Sequence, residues 1–306
     1  MNIKPAFSDK CPDRWENSSA TGPTSHYFTS LRTRLHYVDW GNRSAPTLIL
    51  VHGGRDHARS WDWTAQALAR DYHVIAPDLR GHGDSAWSAQ GSYLVSDYVY
   101  DLAQLVDLTG RAPVTLIGHS LGGSLVLRYA GLFPEKVSKL VAIEGLGLSP
   151  ELLQQSSAKP IPEAWREWIE QRRASARKSP RRYPTLEAAV TRMRERNDHL
   201  SVEQALHLTA HGVNRHEDGS YGWKFDPYLR DMAPQGGNDA ELPAFWNRIS
   251  CPILLCLGLD SWASNPMKDG RAAHFQDARL VEFADAGHWL HHDQFDRFLA
   301  ELRAFL

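Results

Sequence analysis

The 306-residue chain sets 34 Lys and Arg against 36 Asp and Glu, a formal net charge of −2, so it lacks the basic excess that nucleic-acid binding needs. At 42% hydrophobic and 23% charged residues it has an ordinary globular composition, and it is long enough to bury a sizeable core. No run approaches the ~20 apolar residues of a membrane span. The first twenty residues hold Asp9, Asp13 and Glu16 rather than an apolar signal segment, and three cysteines (Cys11, Cys251, Cys256) form no disulfide framework. The expectation is a soluble, cytoplasmic protein with no nucleic-acid or membrane partner.

Residues 1–24, rich in Pro, Ser and Asn, read as an irregular leader. Tyr27 to Asp39 reads as two strands, closed by the turn Trp40-Gly41-Asn42. Short apolar runs then alternate with helical patterns. Thr47 to Val51, His73 to Ala76, Val114 to Ile117 and Leu140 to Ile143 are strands. Trp61 to Arg70, Asp97 to Leu108 and Leu121 to Phe133 are helices, the last stopped by Pro134. Apolar runs of four or five residues without strict alternation indicate strands buried on both faces. Their alternation with helices indicates a parallel sheet. The pattern resumes at Pro252 to Leu257 and ends with a strand at Ala278 to Phe283 and a helix at Gln294 to Leu306.

Between Leu148 and Arg248 buried-strand runs disappear and arginine becomes dense, with Arg172, Arg182, Arg192 and Arg196 among the nine from Arg166 to Arg196. Trp165 to Arg173 and Leu186 to Arg196 read as amphipathic helices. This predicts a helical insertion, 148–248, within an α/β core made of 25–147 and 249–306. Its arginines are read as a solvated face, where long charged side chains usually lie.

The sharpest chemical signal is a buried strand running into Gly118-His119-Ser120-Leu121-Gly122, followed by a helix. Small residues there permit a strained strand-to-helix turn that holds a serine hydroxyl outside the sheet, at a helix N-terminus where developing negative charge is favoured. With Val51-His52-Gly53-Gly54, Asp78-Leu79-Arg80-Gly81-His82-Gly83-Asp84-Ser85 and Ala286-Gly287-His288-Trp289, in that order, the chain resembles the α/β-hydrolase family from about Tyr27 onward. The resemblance implies an eight-stranded, mostly parallel sheet with a helical cap inserted after the sixth strand.

Ser120 is then the expected nucleophile and His288, after the last strand, its base, because a serine needs a base within hydrogen-bond reach. His291 and His292 are expected at the surface. Backbone N–H groups of Gly54 and Leu121 are the expected oxyanion donors. Two carboxylates compete for the acid. The family's common Gly-x-x-Asp after the seventh strand reads here Gly258-Leu259-Asp260-Ser261, with the aspartate one residue early. Glu144 ends the sixth strand, a placement similar to that in many haloalkane dehalogenases, and a carboxylate there needs a partner. Glu144 is preferred, with Asp260 as the alternative.

Eleven tryptophans favour an aromatic-walled pocket, expected to include Trp61, His119, Trp262 and Trp289, with Trp165 and Trp168 in the cap. His82 reads as structural. His207 and His211 have a zinc-compatible spacing, but no Glu follows His207 and no third ligand is evident, so no metal is expected. No cofactor is expected either. The preferred function is hydrolysis of an apolar small-molecule ester or lactone. Carbon–carbon bond hydrolysis, perhydrolysis and a non-enzymatic small-molecule receptor are the alternatives.

Overall fold

The computed structural model describes residues 22–109, 111–157, 159–231 and 239–306. Nearly all of the stretch read as a leader, Cys11 included, lies outside them. Strands β1 (Thr24–Ser30), β2 (Thr33–Asp39) and β3 (Thr47–Val51) precede helix α1 (Asp62–Leu68). Then come β4 (His73–Pro77), α2 (Val95–Thr109), β5 (Val114–His119), α3 (Leu121–Leu132) and β6 (Val137–Ile143). The inserted segment holds α4 (Pro150–Ser157), α5 (Ile161–Ala176), α6 (Leu186–Arg194), α7 (Val202–Gly212) and the hairpin β7 (Val213–Arg215) to β8 (Tyr221–Trp223). Helix α8 (Leu242–Trp246), β9 (Ile253–Gly258), β10 (Ala278–Phe283), α9 (Leu290–Asp293) and α10 (Phe295–Phe305) complete the chain.

Eight strands form one sheet in the order β1-β2-β4-β3-β5-β6-β9-β10. The six from β4 to β10 run parallel, and β1 and β2 close one edge antiparallel. The fold is therefore the mostly parallel eight-stranded sheet with a mainly helical insertion that the sequence predicts. The helical reading missed the β7–β8 hairpin, whose three-residue strands are too short to leave a periodic signal.

Side-chain alternation explains the layers, since neighbours along a strand face opposite ways. Ile49, Val51, Leu116, Leu140, Ala142 and Leu255 face α2, α3 and α8. Leu48, Leu50, Ile117, Val141, Ile143 and Cys256 face α1 and α10. Leu242 and Trp246 of α8 belong to the first layer, so the stretch read as insertion up to residue 248 rejoins the core before it ends.

After β3 the chain moves to one side, to β4, and then returns across β3 to β5. Such a reversal opens a crevice at the carboxyl ends of β3 and β5. The loop Gly53-Gly54 and Ser120 emerge there.

Two buried polar features carry much of the electrostatic strain. Arg80 reaches Asp101 with two bonds of 2.7 Å, and Asp101 also accepts from Ser30 Oγ at 2.5 Å. Burial raises the Asp101 pKa in spite of Arg80. Five imidazoles, His52, His82, His119, His291 and His292, are fully enclosed. Burial holds each of them below the ordinary histidine value, His82 and His292 down to about 3. His291 and His292 thus depart from the surface placement expected of them: His291 stacks on Trp61 at 4.8 Å and on His292 at 4.2 Å.

Two outcomes follow. Asp101→Ala strands a buried guanidinium and should cost about 3 kcal/mol, read as a lower urea midpoint. The histidines set an acid limit. Above pH ~6.5 they are neutral in both folded and unfolded chains and contribute nothing. Below ~6.5 only the unfolded chain binds their protons, so stability should fall from there towards pH ~3. Between pH ~6.5 and ~4.5 most carboxylates remain ionised, and the loss belongs to histidine. Thermal melts should be level from pH ~8 to ~7 and drop steeply below ~6.5; a midpoint unchanged down to pH ~5 would refute the account.

Candidate active site

β5 delivers Ser120 into a turn with φ 52° and ψ −115°. A side-chain-bearing residue at positive φ costs on the order of 1–3 kcal/mol, retained where surrounding structure enforces it. Here the Ser120 N–H donates to Ile143 O at 2.8 Å and its carbonyl accepts from Ser124 N–H at 3.0 Å, which makes it the N-cap of α3. The turn works only because Gly122 lies against β3: a Cβ there would stand 2.2 Å from Val51 O.

The Gly53-Gly54 loop adjoins the serine. A Cβ on Gly53 would lie 3.2 Å from Ser120 Cβ. His52 fixes this loop: its Nδ1–H donates to Gly53 O at 2.7 Å while its Nε2 accepts from Leu79 N–H at 2.9 Å. Asp78, pinned by His36 at 2.7 Å, accepts the Ala58 N–H at 2.6 Å and holds the far end. The N–H groups of Gly54 and Leu121 find no acceptor among the described residues.

His288 follows β10. Its Nδ1 lies 2.5 Å from Glu144 Oε2. The Glu144 side chain is wholly buried, and its backbone also has positive φ, 49°. It accepts two further bonds, from Gly258 N–H at 2.9 Å and Ser261 Oγ–H at 2.6 Å. Ser261, which stands where the resemblance leads one to look for an aspartate, thus serves Glu144. Sequence reading gave it no role; its position in Gly258-x-x-Ser261 was the available signal. Asp260 is exposed and makes no bond to His288 among the described residues. Ser120 Oγ and His288 Nε2 do not hydrogen-bond directly in this conformation; without substrate such contacts are commonly long.

The pocket residues divide. Trp262 is 60% exposed with its ring 5.3 Å from that of His288, and so stands at the rim. Trp289 packs under α7 against Leu200, Ala205 and Leu208. Trp61 and His119 do not wall an open pocket. Trp61 is fully buried among Leu48, Ala65 and Leu68, because the short 3-10 turn Ala58–Trp61 points it into the sheet. His119 lies behind the base, donating Nε2–H to His288 O at 2.8 Å. Trp165 and Trp168 pack on each other at 5.7 Å on α5. Most of the insertion's arginines are exposed; Arg172 instead donates to Gly91 O and Gln90 O. His82 is buried and donates to Arg80 O at 3.0 Å.

The comparisons agree with this geometry. Residues 46–295 match the family model described as the alpha/beta hydrolase fold. Esterase Rv0045c of Mycobacterium tuberculosis is 27% identical over 284 residues, 91% of this chain and 88% of that protein. Epoxide hydrolase 4 of Mus musculus is 25% identical over 293 residues, 89% of this chain and 76% of that one. A solved hypothetical protein, PA1622 from Pseudomonas aeruginosa PAO1, superposes with a TM-score of 0.79 at 27% identity, covering 94% of this chain and 98% of that one. With a family model matched over most of its length, and with an open strand-to-helix serine beside a carboxylate-paired histidine, this chain belongs to the alpha/beta-hydrolase fold family.

Proposed function

We propose that this hydrolase cleaves a carboxylic ester or lactone through an acyl-enzyme on Ser120. The observation that carries the reading is the Glu144–His288 pair, set beside a serine held in strained backbone at a helix N-terminus. His288 Nε2 takes the Ser120 proton as Oγ attacks the carbonyl carbon. The Gly54 and Leu121 N–H groups hold the oxyanion. On collapse the carbonyl–alkoxy bond breaks and the imidazolium returns its proton to the leaving oxygen. A water, deprotonated by His288, then attacks the acyl carbon, and Ser120 leaves with the proton as the acid is released. Glu144 keeps Nδ1 protonated and offsets the imidazolium charge.

The esterase name of the mycobacterial relative supports this chemistry. The epoxide hydrolase relative does not displace it, because hydrolases of that kind in this fold use an aspartate nucleophile and this chain has Ser120. An apolar substrate fits the loop after β9, where Leu259, Trp262 and Met267 are all exposed. The inserted helices act as the cap: α7 rests on the loop that follows Gly54, with His57 Nε2–H donating to Leu208 O at 2.9 Å. Among the described residues no helix is long and apolar enough to cross a membrane. The free thiols of Cys251 and Cys256 suit a reducing compartment.

A fluorophosphonate should label one peptide, that containing Ser120, and Ser120→Ala should lower kcat on p-nitrophenyl esters by at least ~10³-fold. Labelling elsewhere would overturn the nucleophile. Negligible turnover across an ester and lactone panel, together with tight small-molecule binding, would favour the receptor alternative. Glu144→Gln should lower kcat by about 10⁴-fold with little change in KM, since an amide cannot offset imidazolium charge. Asp260→Asn should stay near wild type. The reverse pattern in folded variants would move the acid to Asp260.

A further inference from the structure

Away from the reacting groups, one cluster joins the core to the insertion. Asp62 opens α1 and is buried, while His207 and His211 stand one turn apart on α7. One ligand atom from each lies within 4.8 Å of the other two. His207 Nε2 is 3.1 Å from Asp62 Oδ2, and the two imidazole rings are 4.7 Å apart. The sequence contains the histidine pair but no visible third donor; the fold supplies one from a helix far earlier in the chain.

We propose that Asp62, His207 and His211 bind a transition-metal ion of the Zn²⁺ class and thereby tie α7 to the core. Zinc bonds of roughly 2.0–2.2 Å to nitrogen and oxygen, arranged tetrahedrally, place ligand atoms about 3.3–3.5 Å apart. The Asp62–His207 separation is already close to that edge. The His211 ring makes no hydrogen bond among the described residues, so none has to be broken for a ring nitrogen to turn to the metal. Two imidazoles and one carboxylate leave a fourth position for water, a donor set that also suits Co²⁺ and Ni²⁺.

A cation already occupies the carboxylate. Arg59 Nε lies 2.7 and 2.8 Å from the two Asp62 oxygens, and its Nη2 lies 2.6 Å from Oδ2. The metal must take Oδ2 from this guanidinium, whose side chain is 31% exposed and has water to swing into. Arg59 therefore sets the affinity as a competitor. That property separates a built site from adventitious binding to any of the 15 histidines.

The test is binding, independent of hydrolysis. The whole protein, stripped with EDTA and dialysed, is titrated calorimetrically with ZnCl₂ at about pH 7.5, where imidazoles are neutral. Co²⁺ absorption serves as a second readout. We expect one saturable site per chain and a Zn²⁺-dependent rise in thermal midpoint. His207→Ala and His211→Ala should each weaken binding at least ~10-fold, and Arg59→Gln should strengthen it by about 10-fold. Should His207→Ala fail to fold, His211→Ala carries the test. Absence of stoichiometric binding, or binding indifferent to His211→Ala and to Arg59→Gln, would overturn the proposal. Failure of the esterase reading would leave it untouched.

Discussion

The Glu144 carboxylate is the constraint around which the site is arranged. It sits with no solvent contact at the carboxyl end of β6, where an unpaired charge would cost several kcal/mol. Three donors meet it, each from a different stretch of the second half of the chain: the Gly258 amide ending β9, the Ser261 hydroxyl in the loop after it, and the His288 ring after β10. Satisfying the charge therefore fixes the relative height of three strand ends. The strained φ of Glu144 is the local expense of aiming the carboxylate along that edge. Next to it, the Ile143 carbonyl accepts the Ser120 amide. The Ser120 turn and the Glu144 carboxylate are thus joined through two consecutive residues, Ile143 at the end of β6 and Glu144 directly after it.

Behind this edge the protein buries imidazoles where most folds bury aliphatic groups. His119 contacts the His288 ring on one side and His291 on the other, at 4.7 and 4.6 Å. Its pKa is pushed well down, first by burial and then by His288. A neutral His119 places no positive charge beside the His288 ring. A phenyl ring would fill the same space but would not donate to His288 O, so the imidazole both packs and orients.

What the sequence made legible follows from what is local. The nucleophile turn is written in ten consecutive residues, and the parallel sheet in runs such as Thr47 to Val51 and Val114 to Ile117. The carboxylate partner of His288 was legible only as a pair of alternatives, because Glu144 and Asp260 both follow strand ends and Glu144 is held by Ser261, 117 residues further on. Burial was the weakest reading. Trp61 and His291 both sit at helix starts, where sequence places polar and exposed residues, yet they stack on each other inside the second core layer. Asp62 escaped notice for the same reason: one acidic residue at a helix N-terminus is ordinary, and only tertiary packing sets it against His207.

The insertion is held unequally. α7 is bonded to the loop after Gly54 through His57, whose ring also packs against Gly212, 3.1 Å from where a Cβ there would stand. From the other side α7 covers Trp289, the residue after His288. One helix therefore touches both the loop that follows Gly54 and the residue that follows His288. α5, by contrast, buries no residue and is tied by polar contacts such as Arg172 to Gly91 O and Trp168 Nε1–H to Asp231 O. Opening free energy scales with buried apolar contact, so the α4–α5 end yields before α7 does.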